Sequence, residues 1–398
     1  MKRSLLVLSA ILLSAALAAP LATSIEASTS GTSLREDIVK GNTAFAVQLY
    51  RELGSEAGNL FFSPYSISSA LGMTYAGARG NTAKEMKAVL HFYPEQAELP
   101  PAFKSLNKEL AATVGKSGQK LNIANALVLT GGNVSGEYKG ILKNYYDAEI
   151  FGGRLNEING WVKEKTEGKI EKILEELSPN SVCVILNAIY FKGIWESKFE
   201  KSLTHDAPFK VSASTQVTVP FMYQESKFKI LEEKDFQAVS LPYKDDYLSM
   251  VILLPNTVDG LAVLEKQLTT QRLKEWLAAL DEQPVEKVDL YLPKFELETK
   301  YDLVPQFKKM GMKDAFTDSA DFSGMGGELS ISQIKHKAFV EVNEEGTEAA
   351  AATAVEMQTK SIRDYPVFRA DHPFLFIIRD NQSGTILFMG RMVKPNNK

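Results

Sequence analysis

Cysteine is nearly absent from this chain of 398 residues, which contains a single one, Cys183. One thiol cannot form an intramolecular disulfide, and it excludes a metal site built on paired cysteines. Only four histidines are present, and no cluster of metal-ligating residues stands out. Cys183 lies in the apolar run 182–186, so we expect it to pack in the core rather than to act as a reactive thiol.

An excess of charge of one sign is also lacking. The 45 Lys and Arg residues nearly balance the 49 Asp and Glu residues, which gives a formal net charge of −4 at pH 7. That balance lacks the basic excess of a nucleic-acid-binding protein. Hydrophobic residues make up 44% of the chain, a share typical of globular proteins and too high for a disordered one. The signatures Gly-x-Ser-x-Gly and His-Glu-x-x-His are missing, so an enzyme is not expected.

The longest apolar run lies at the N-terminus, directly after a short basic start. It has about 14 residues, too few for a membrane anchor, because a bilayer-spanning helix needs about 20. Small residues around Ala18 match a signal-peptidase site, with cleavage after Ala27 as the second choice. The pattern predicts a signal peptide over 1–18 and a flexible lead over 19–33. We therefore expect a secreted, extracellular protein without a membrane partner.

Two tripeptides have the form that accepts N-linked glycans, which fits the secretory route. Their asparagines are Asn133 and Asn381. Such tripeptides also occur by chance, so each one predicts a glycan only together with the signal peptide.

Helical spacing of apolar residues covers 34–53 and, as one longer helix, 260–280. Ser63-Pro64 is typical of a helix start, with a capping hydroxyl before a proline in the first turn. The residues from Thr82 to Glu85 form a capping box and predict a further short helix.

Strand patterns are mixed with these helices without a regular βαβ order. The nearly continuous apolar run 182–191 indicates a strand buried on both faces. Two apolar runs, 374–379 and 385–390, flank turn residues and predict a hairpin. Since no linker divides the chain, we predict class α+β and a single domain over 34–398.

Residues 343–369 form a connection with an unusual pattern. Alternate positions from Thr347 to Met357 are small or apolar, and the positions between them are more polar. That period of two is typical of a strand with one buried face, and Gly346 precedes it as a flexible pivot. The alternative is an ordinary exposed helix, which the run of alanines favours by propensity.

One block of this sequence resembles the hinge of the reactive-centre loop in inhibitory serpins. The residues of this block are Glu344, Glu345, Gly346, Thr347, Glu348, Ala349, Ala350, Ala351 and Ala352. Further blocks resemble serpin signatures at 59–67, 77–82, 186–195, 292–295 and 368–376. The resemblance runs from about residue 34 to 394. It implies a serpin-like single domain with three β-sheets, about nine helices and an exposed reactive-centre loop at about 344–368.

The resemblance also implies a function. Serpins present the loop to a serine protease, which cleaves it and becomes an acyl-enzyme. The cleaved loop then inserts into the central sheet and distorts the protease before deacylation. We therefore expect a monomeric suicide-substrate inhibitor that ends in a covalent complex with its protease.

The scissile bond is placed by counting from the hinge. In the family the primary specificity residue usually lies 14 positions after the hinge glycine, which here is Lys360, followed by Ser361. A lysine suits the acidic pocket of trypsin-like proteases. The alternative bond is Arg363-Asp364, which is less favoured because an acidic residue follows the cut.

A polar cluster beneath the central sheet is implied by the same resemblance, and its members are Ser63, Ser66, Asn187 and His336. Trp195 and an ion pair between Glu344 and Lys294 would lie where the loop first enters the sheet.

The alternative function is that of a non-inhibitory serpin, a carrier or chaperone. Bulky or proline residues in the hinge would indicate it, and this hinge has none. No cofactor is expected to be required. A glycosaminoglycan site is only weakly supported, since the lysines where some serpins bind heparin fit a solvated face equally well: Lys104, Lys108, Lys116 and Lys120.

Overall fold

The computed structural model describes residues 19–116, 118–130, 133–177, 183–347 and 365–396. The signal peptide predicted over 1–18 lies outside these residues. The described residues form nine α-helices: α1 (Ala19–Leu53), α2 (Pro64–Tyr75), α3 (Gly80–Val89), α4 (Leu99–Lys116), α5 (Gly136–Ile141), α6 (Leu155–Lys165), α7 (Leu261–Gln267), α8 (Thr270–Asp281) and α9 (Val304–Met310). None of the helices in this part of the chain has both the length and the apolar character of a membrane span.

Helix α1 confirms the helix predicted over 34–53 and corrects the flexible lead predicted over 19–33, because its backbone is already helical from Ala19. The lead has no proline after Pro20, and its Ser, Thr and Gly31 lower the helix propensity without preventing a helix.

The other helix starts follow local hydrogen bonds. The Ser63 hydroxyl accepts a bond from the Ser66 amide at 3.2 Å and caps α2, as predicted. The helix predicted over 260–280 is instead two helices, since Leu268 is extended and Thr269 caps a new start. Thr82 lies inside α3, where its hydroxyl accepts a bond from the Asp321 amide instead of capping the helix.

Fifteen strands lie within the described residues: β1 (Leu60–Phe62), β2 (Lys120–Leu129), β3 (Glu149–Phe151), β4 (Cys183–Ile194), β5 (His205–Ser212), β6 (Thr215–Glu232), β7 (Phe236–Pro242), β8 (Leu248–Pro255), β9 (Val285–Pro293), β10 (Phe295–Asp302), β11 (Ile331–Val342), β12 (Gly346–Thr347), β13 (Val367–Arg369), β14 (Phe374–Asp380) and β15 (Ile386–Met392). The predicted C-terminal hairpin is present as β14 and β15.

These strands form two hydrogen-bonded sheets. The nine-stranded sheet has the order β1-β15-β14-β8-β7-β6-β9-β13, and β5 pairs with β6. The six-stranded sheet has the order β10-β11-β4-β2-β3, and β12 pairs with β4. The resemblance implied three sheets. The structure has two, because two of the three implied sheets are joined into the nine-stranded sheet by the 18-residue strand β6. This strand pairs with β5 and β9 along most of its length and with β7 at its end.

Strand β4 is the centre of the six-stranded sheet and is buried on both faces, as predicted. One face, which includes Ile185 and Ile189, belongs to the large core shared with the other sheet. The opposite face, which includes Val184 and Leu186, packs with residues of α6. Cys183 is fully covered, and burial raises the pKa of its thiol to about 12, which agrees with a role in packing alone.

Candidate functional site

The junction between β4 and β11 is the most unusual feature of the six-stranded sheet. The two strands are parallel neighbours, paired from Cys183 opposite Ile331 to Tyr190 opposite Phe339. Beyond that pair, β4 continues and takes a different partner. Gly346 and Thr347 of β12 pair with Ile194 and Gly193 in antiparallel fashion. A third strand therefore starts at one end of the junction.

The chain reaches this position through a tight turn after β11. The amide of Asn343 donates to the carbonyl of Gly346 at 2.9 Å, and the amide of Gly346 donates back at 3.2 Å. The Trp195 indole donates to the Asn343 carbonyl at 3.0 Å, and its ring stacks on Tyr243 at 4.5 Å between centroids. The rigid aromatic pair thus fixes the turn against the end of β4.

Two carboxylates lie in the turn, and both are almost completely buried. Glu344 forms an ion pair with Lys294 at 3.0 Å, the pair that the resemblance implied, and accepts a bond from the Thr204 hydroxyl at 2.9 Å. Burial alone would raise the pKa of Glu344, but these hydrogen bonds outweigh it and lower the pKa below its usual value. The Glu344 carboxyl is therefore ionised at neutral pH.

Glu345 points to a different pair of lysines. Its carboxylate lies 2.7 Å from the ammonium of Lys198 and 3.5 Å from that of Lys201. Sequence reasoning missed both lysines, and no local pattern marks them, because they follow β4 while Glu345 follows β11.

Gly346 can occupy its position only because it has no side chain. Its φ is +147°, and a Cβ there would lie 2.2 Å from the carbonyl oxygen of Gly193. Gly193 is equally restricted, since its own Cβ would lie 2.4 Å from the Tyr243 ring. The sequence predicted a flexible pivot at Gly346. The structure adds that Gly346 is required by its close approach to the backbone of β4, and Gly193 by the aromatic rings packed against it.

A buried polar cluster crosses the junction lower down, and its predicted members come together: Ser63, Ser66, Asn187 and His336. The Nδ1 atom of His336 lies 2.6 Å from Oδ1 of Asn187, so this contact joins β11 to β4. The Asn187 amide donates to the Ser66 hydroxyl at 2.5 Å. The Ser63 amide donates to Nε2 of His336 at 3.1 Å.

This network determines the protonation of His336. Because the Ser63 amide donates to Nε2, that nitrogen carries no proton, and Nδ1 donates to Asn187. Burial lowers the pKa of His336 to about 3, which keeps the ring neutral at physiological pH.

Asn125 of β2 also belongs to the cluster, and sequence reasoning missed it. Its Oδ1 accepts a bond of 2.6 Å from the Asn187 amide. A signal was available, because Asn125 is a polar residue in the otherwise apolar run from Ile123 to Leu129. Burial of an amide requires a partner, and here the partner is another amide.

The chain matches the family model described as Serpin (serine protease inhibitor) over residues 40–395. It belongs to the serpin family. Human Serpin B8 is 42% identical, with 90% of this chain and 100% of that protein covered. The leukocyte elastase inhibitor of Equus caballus is 40% identical with the same coverage.

Solved serpin structures are similar over nearly the whole chain. Human thyroxine-binding globulin in complex with its hormone has a TM-score of 0.83 at 30% identity, covering 92% of this chain and 100% of that chain. The thermophilic serpin tengpin in the native state has a TM-score of 0.81 at 30% identity, covering 89% and 94%. The α+β serpin fold expected from the sequence is therefore confirmed.

Several predicted serpin residues lie outside the described part of the chain. These are the hinge residues Glu348, Ala349, Ala350, Ala351 and Ala352 and both candidate bonds, Lys360-Ser361 and Arg363-Asp364. Their roles stay predictions.

The remaining predicted sites lie on the surface. Lys120 forms an ion pair with Glu167 at 2.7 Å, and Lys104 lies over the Tyr145 ring. Asn133 is exposed. The Asn381 amide instead donates to the Asp246 carbonyl at 3.0 Å and accepts from the Ser249 hydroxyl at 2.7 Å. No group of three or more potential metal ligands occurs within the residues that the structure describes.

We predict that His336 makes stability fall as the pH decreases. The unfolded histidine has a pKa of about 6.5 and the folded one about 3, so between these values only the unfolded chain binds the proton. The free energy of unfolding should be highest above pH 6.5 and fall by up to about 1.4 kcal/mol per pH unit below it. Urea unfolding at pH 7.5 and 5.5 measures the change, and His336→Gln should be less sensitive to pH. Equal pH dependence of the two proteins would contradict the prediction.

Proposed function

We propose that this serpin is a suicide-substrate inhibitor of trypsin-like serine proteases, cleaved at the Lys360-Ser361 bond. The observation that carries the proposal is strand β12, which already lies beside the end of β4 in antiparallel pairing. An inserted loop needs that direction and that starting point.

The register of β12 supports insertion residue by residue. Gly346 pairs with Ile194 and Thr347 with Gly193. If the inserted loop continues this pairing along β4, Thr353 would lie opposite Asn187 and Met357 would lie opposite Cys183. Opposite residues of an antiparallel pair share a face of the sheet.

That register assigns a face to each half of the alternating pattern. The β4 residues opposite the small and apolar positions include Ile185, Ile189 and Phe191, which face the large core. The more polar positions would lie opposite Val184, Leu186 and Tyr190, on the face covered by α6. The small and apolar positions therefore match the core-facing side of β4, and the alanines between them, Ala350, Ala352 and Ala354, are small enough for the apolar side covered by α6.

The polar cluster lies on the path of such a strand. The contact between His336 and Asn187 spans β11 and β4, so it must break when the strands separate. Thr353 would arrive between them, and its hydroxyl can both donate and accept a hydrogen bond. A neutral hydrogen bond would then be exchanged for others of the same kind, without leaving a buried charge.

Trapping follows from the timing of the chemistry. The protease serine attacks the Lys360 carbonyl and forms an ester, the bond to the Ser361 nitrogen breaks, and that amine leaves with a proton. Hydrolysis of the ester needs an ordered oxyanion hole. Insertion pulls on the ester through the short tether between Met357 and Lys360. A cut after Arg363 would lengthen that tether by about 10 Å and weaken the pull.

The lysine at position 360 supports trypsin-like proteases as the target class. Lysine is complementary to the acidic pocket of trypsin-like proteases. Four relatives are named leukocyte elastase inhibitor, so the choice of a trypsin-like protease rests on Lys360 and not on these relatives. The alternative is a non-inhibitory carrier, and the similarity to thyroxine-binding globulin favours it by fold alone.

Trypsin tests the class directly. Equimolar trypsin should give a complex that survives denaturing electrophoresis, because the ester is covalent. Lys360→Glu should abolish the complex, since it places a carboxylate against the acidic pocket, while the exposed control Lys84→Glu should leave it unchanged. Cleavage without any trapped protease would instead support the non-inhibitory alternative. An unaffected Lys360→Glu variant would move the bond to Arg363.

A second variant separates cleavage from insertion. Thr347→Arg places a charge at the first of the small or apolar alternate positions of the insertion segment. The loop should still be cut, but more inhibitor should be consumed per trapped protease. If insertion slows by about tenfold, the excess of the stoichiometry of inhibition above one should rise by about tenfold. The measurement is a titration of residual trypsin activity, and an unchanged stoichiometry would argue against insertion through Thr347.

We further propose that the protein is secreted after removal of residues 1–18. The basic start and short apolar run support this, as does the exposed asparagine Asn133, which is the better glycan acceptor because the Asn381 amide is engaged. Expression in a secreting host should give a protein in the medium whose N-terminal sequence starts at Ala19. Retention in the cells with an intact Met1 would contradict secretion.

A further inference from the structure

A cleft opens between the end of α1 and α7, away from the β4–β11 junction. Its volume is about 390 Å³, within the range of about 300–1,000 Å³ that is typical of small-molecule sites. Helix α1 contributes Tyr50 and Arg51, and the turn after it contributes Gly54. Helix α7 contributes Ala262 and Lys266. None of these residues takes part in the proposed inhibition, which leaves the cleft without a role.

The floor of the cleft is aromatic and carries no uncompensated charge. Tyr50 is buried, and its hydroxyl donates to the Glu265 carboxylate at 2.6 Å. Burial raises the pKa of Tyr50, so the phenol stays neutral. The same oxygen of Glu265 accepts a bond of 2.8 Å from the buried guanidinium of Arg391, which balances the charge of the carboxylate. A ligand therefore meets an apolar ring at the bottom of the cleft.

Two cations lie at the rim of the cleft. The Arg51 guanidinium donates to the Leu268 carbonyl at 2.7 Å, and its other N–H groups have no partner in the part of the chain that the structure describes. Lys266 is exposed and forms no ion pair with any described residue. The methylene stems of such side chains extend an apolar wall while their charged ends stay at the surface. The rim thus has two positive charges available to a ligand.

The acceptors next to the rim do not cancel these charges. The Tyr50 carbonyl at the end of α1 accepts a bond from the Gly54 amide at 2.7 Å, and the Glu52 carbonyl accepts one from the Ser55 hydroxyl at 2.8 Å. The carboxylates of Glu52 and Glu56 do not line the cleft. The electrostatic balance at the rim is therefore positive.

We propose that this cleft binds a small organic carboxylate with an apolar chain. The carboxylate lies between Arg51 and Lys266, because a guanidinium pairs with a carboxylate through two parallel hydrogen bonds. The chain lies against the Tyr50 ring and Ala262, where it displaces water from apolar surface. Charge alone would attract any anion, and the largely apolar lining selects one that carries a chain. This binding is independent of the proposed protease inhibition.

Octanoate is the probe for the test, since it combines a carboxylate with a short apolar chain. Calorimetric titration of the full-length protein should show one molecule bound, with a dissociation constant on the order of 0.1–1 mM for a ligand of about ten non-hydrogen atoms. Octanol has the same chain without the charge. It should bind about tenfold more weakly, because it loses the contacts to the two cations.

The charge at the rim is tested by Lys266→Glu. This change should weaken octanoate binding by about tenfold, since it places a second carboxylate beside the bound one. Lys84→Glu is the matched control, because Lys84 is an exposed lysine on the short helix α3 and does not line the cleft. The control should bind octanoate as the wild type does.

The space in the cleft is tested by two adjacent substitutions on α7. Ala262 lines the cleft and is exposed, so Ala262→Trp fills it without entering the core and should abolish binding. Val263 is 52% exposed and does not line the cleft, so Val263→Trp should leave binding unchanged. Urea unfolding checks that both variants fold. If Ala262→Trp does not fold, the comparison of Lys266→Glu with Lys84→Glu still decides.

The inference is overturned if octanol binds as tightly as octanoate, or if Ala262→Trp folds and still binds octanoate. It is also overturned if the two tryptophan variants lose binding equally, or if Lys266→Glu binds as tightly as Lys84→Glu. All of these measurements are made without protease, so their outcome is separate from that of the trypsin experiments.

Discussion

The hydrogen bonds between β4 and β11 keep two parallel strands together in the middle of a six-stranded sheet. A strand that enters between them runs antiparallel to both, and it can start only at the end where the chain turns back after β11. Strand β12 occupies that end. The paired glycines Gly193 and Gly346 allow it to do so, since either Cβ would collide with its neighbours. The rest of the molecule is arranged so that this junction is closed and can still be opened.

Polar groups are distributed along the junction according to their exposure. In the buried middle, His336 and Asn187 are neutral, because an unpaired charge there would cost several kcal/mol. At the entrance, Glu344 and Glu345 form ion pairs with lysines that reach solvent. The carboxylates themselves are nearly buried, so each depends on its lysine partner. The buried centre holds neutral hydrogen bonds, and these two ion pairs lie at the entrance.

The two ends of the loop are attached differently. At the N-terminal end, Thr347 is part of a ladder that has room to grow along β4. At the C-terminal end, Tyr365 and β13 are attached to β6 and β9 by side-chain contacts and backbone pairs, which leave the chain no freedom to move along the sheet. Cleavage between the ends would free the first and leave the second in place. That asymmetry gives insertion its direction.

The sequence by itself determined the elements whose signals are local: the Ser63 cap, the doubly buried strand β4 and the C-terminal hairpin. The family blocks added the polar cluster and the ion pair of Glu344. Only the tertiary structure decided that 260–280 is two helices, that β6 joins two sheets, and that Asn125 and Lys198 contact the site. Periodicity and capping act between residues a few positions apart, so a sequence displays them. Register between strands that are distant in the chain depends on packing of the whole core, and no local pattern contains it.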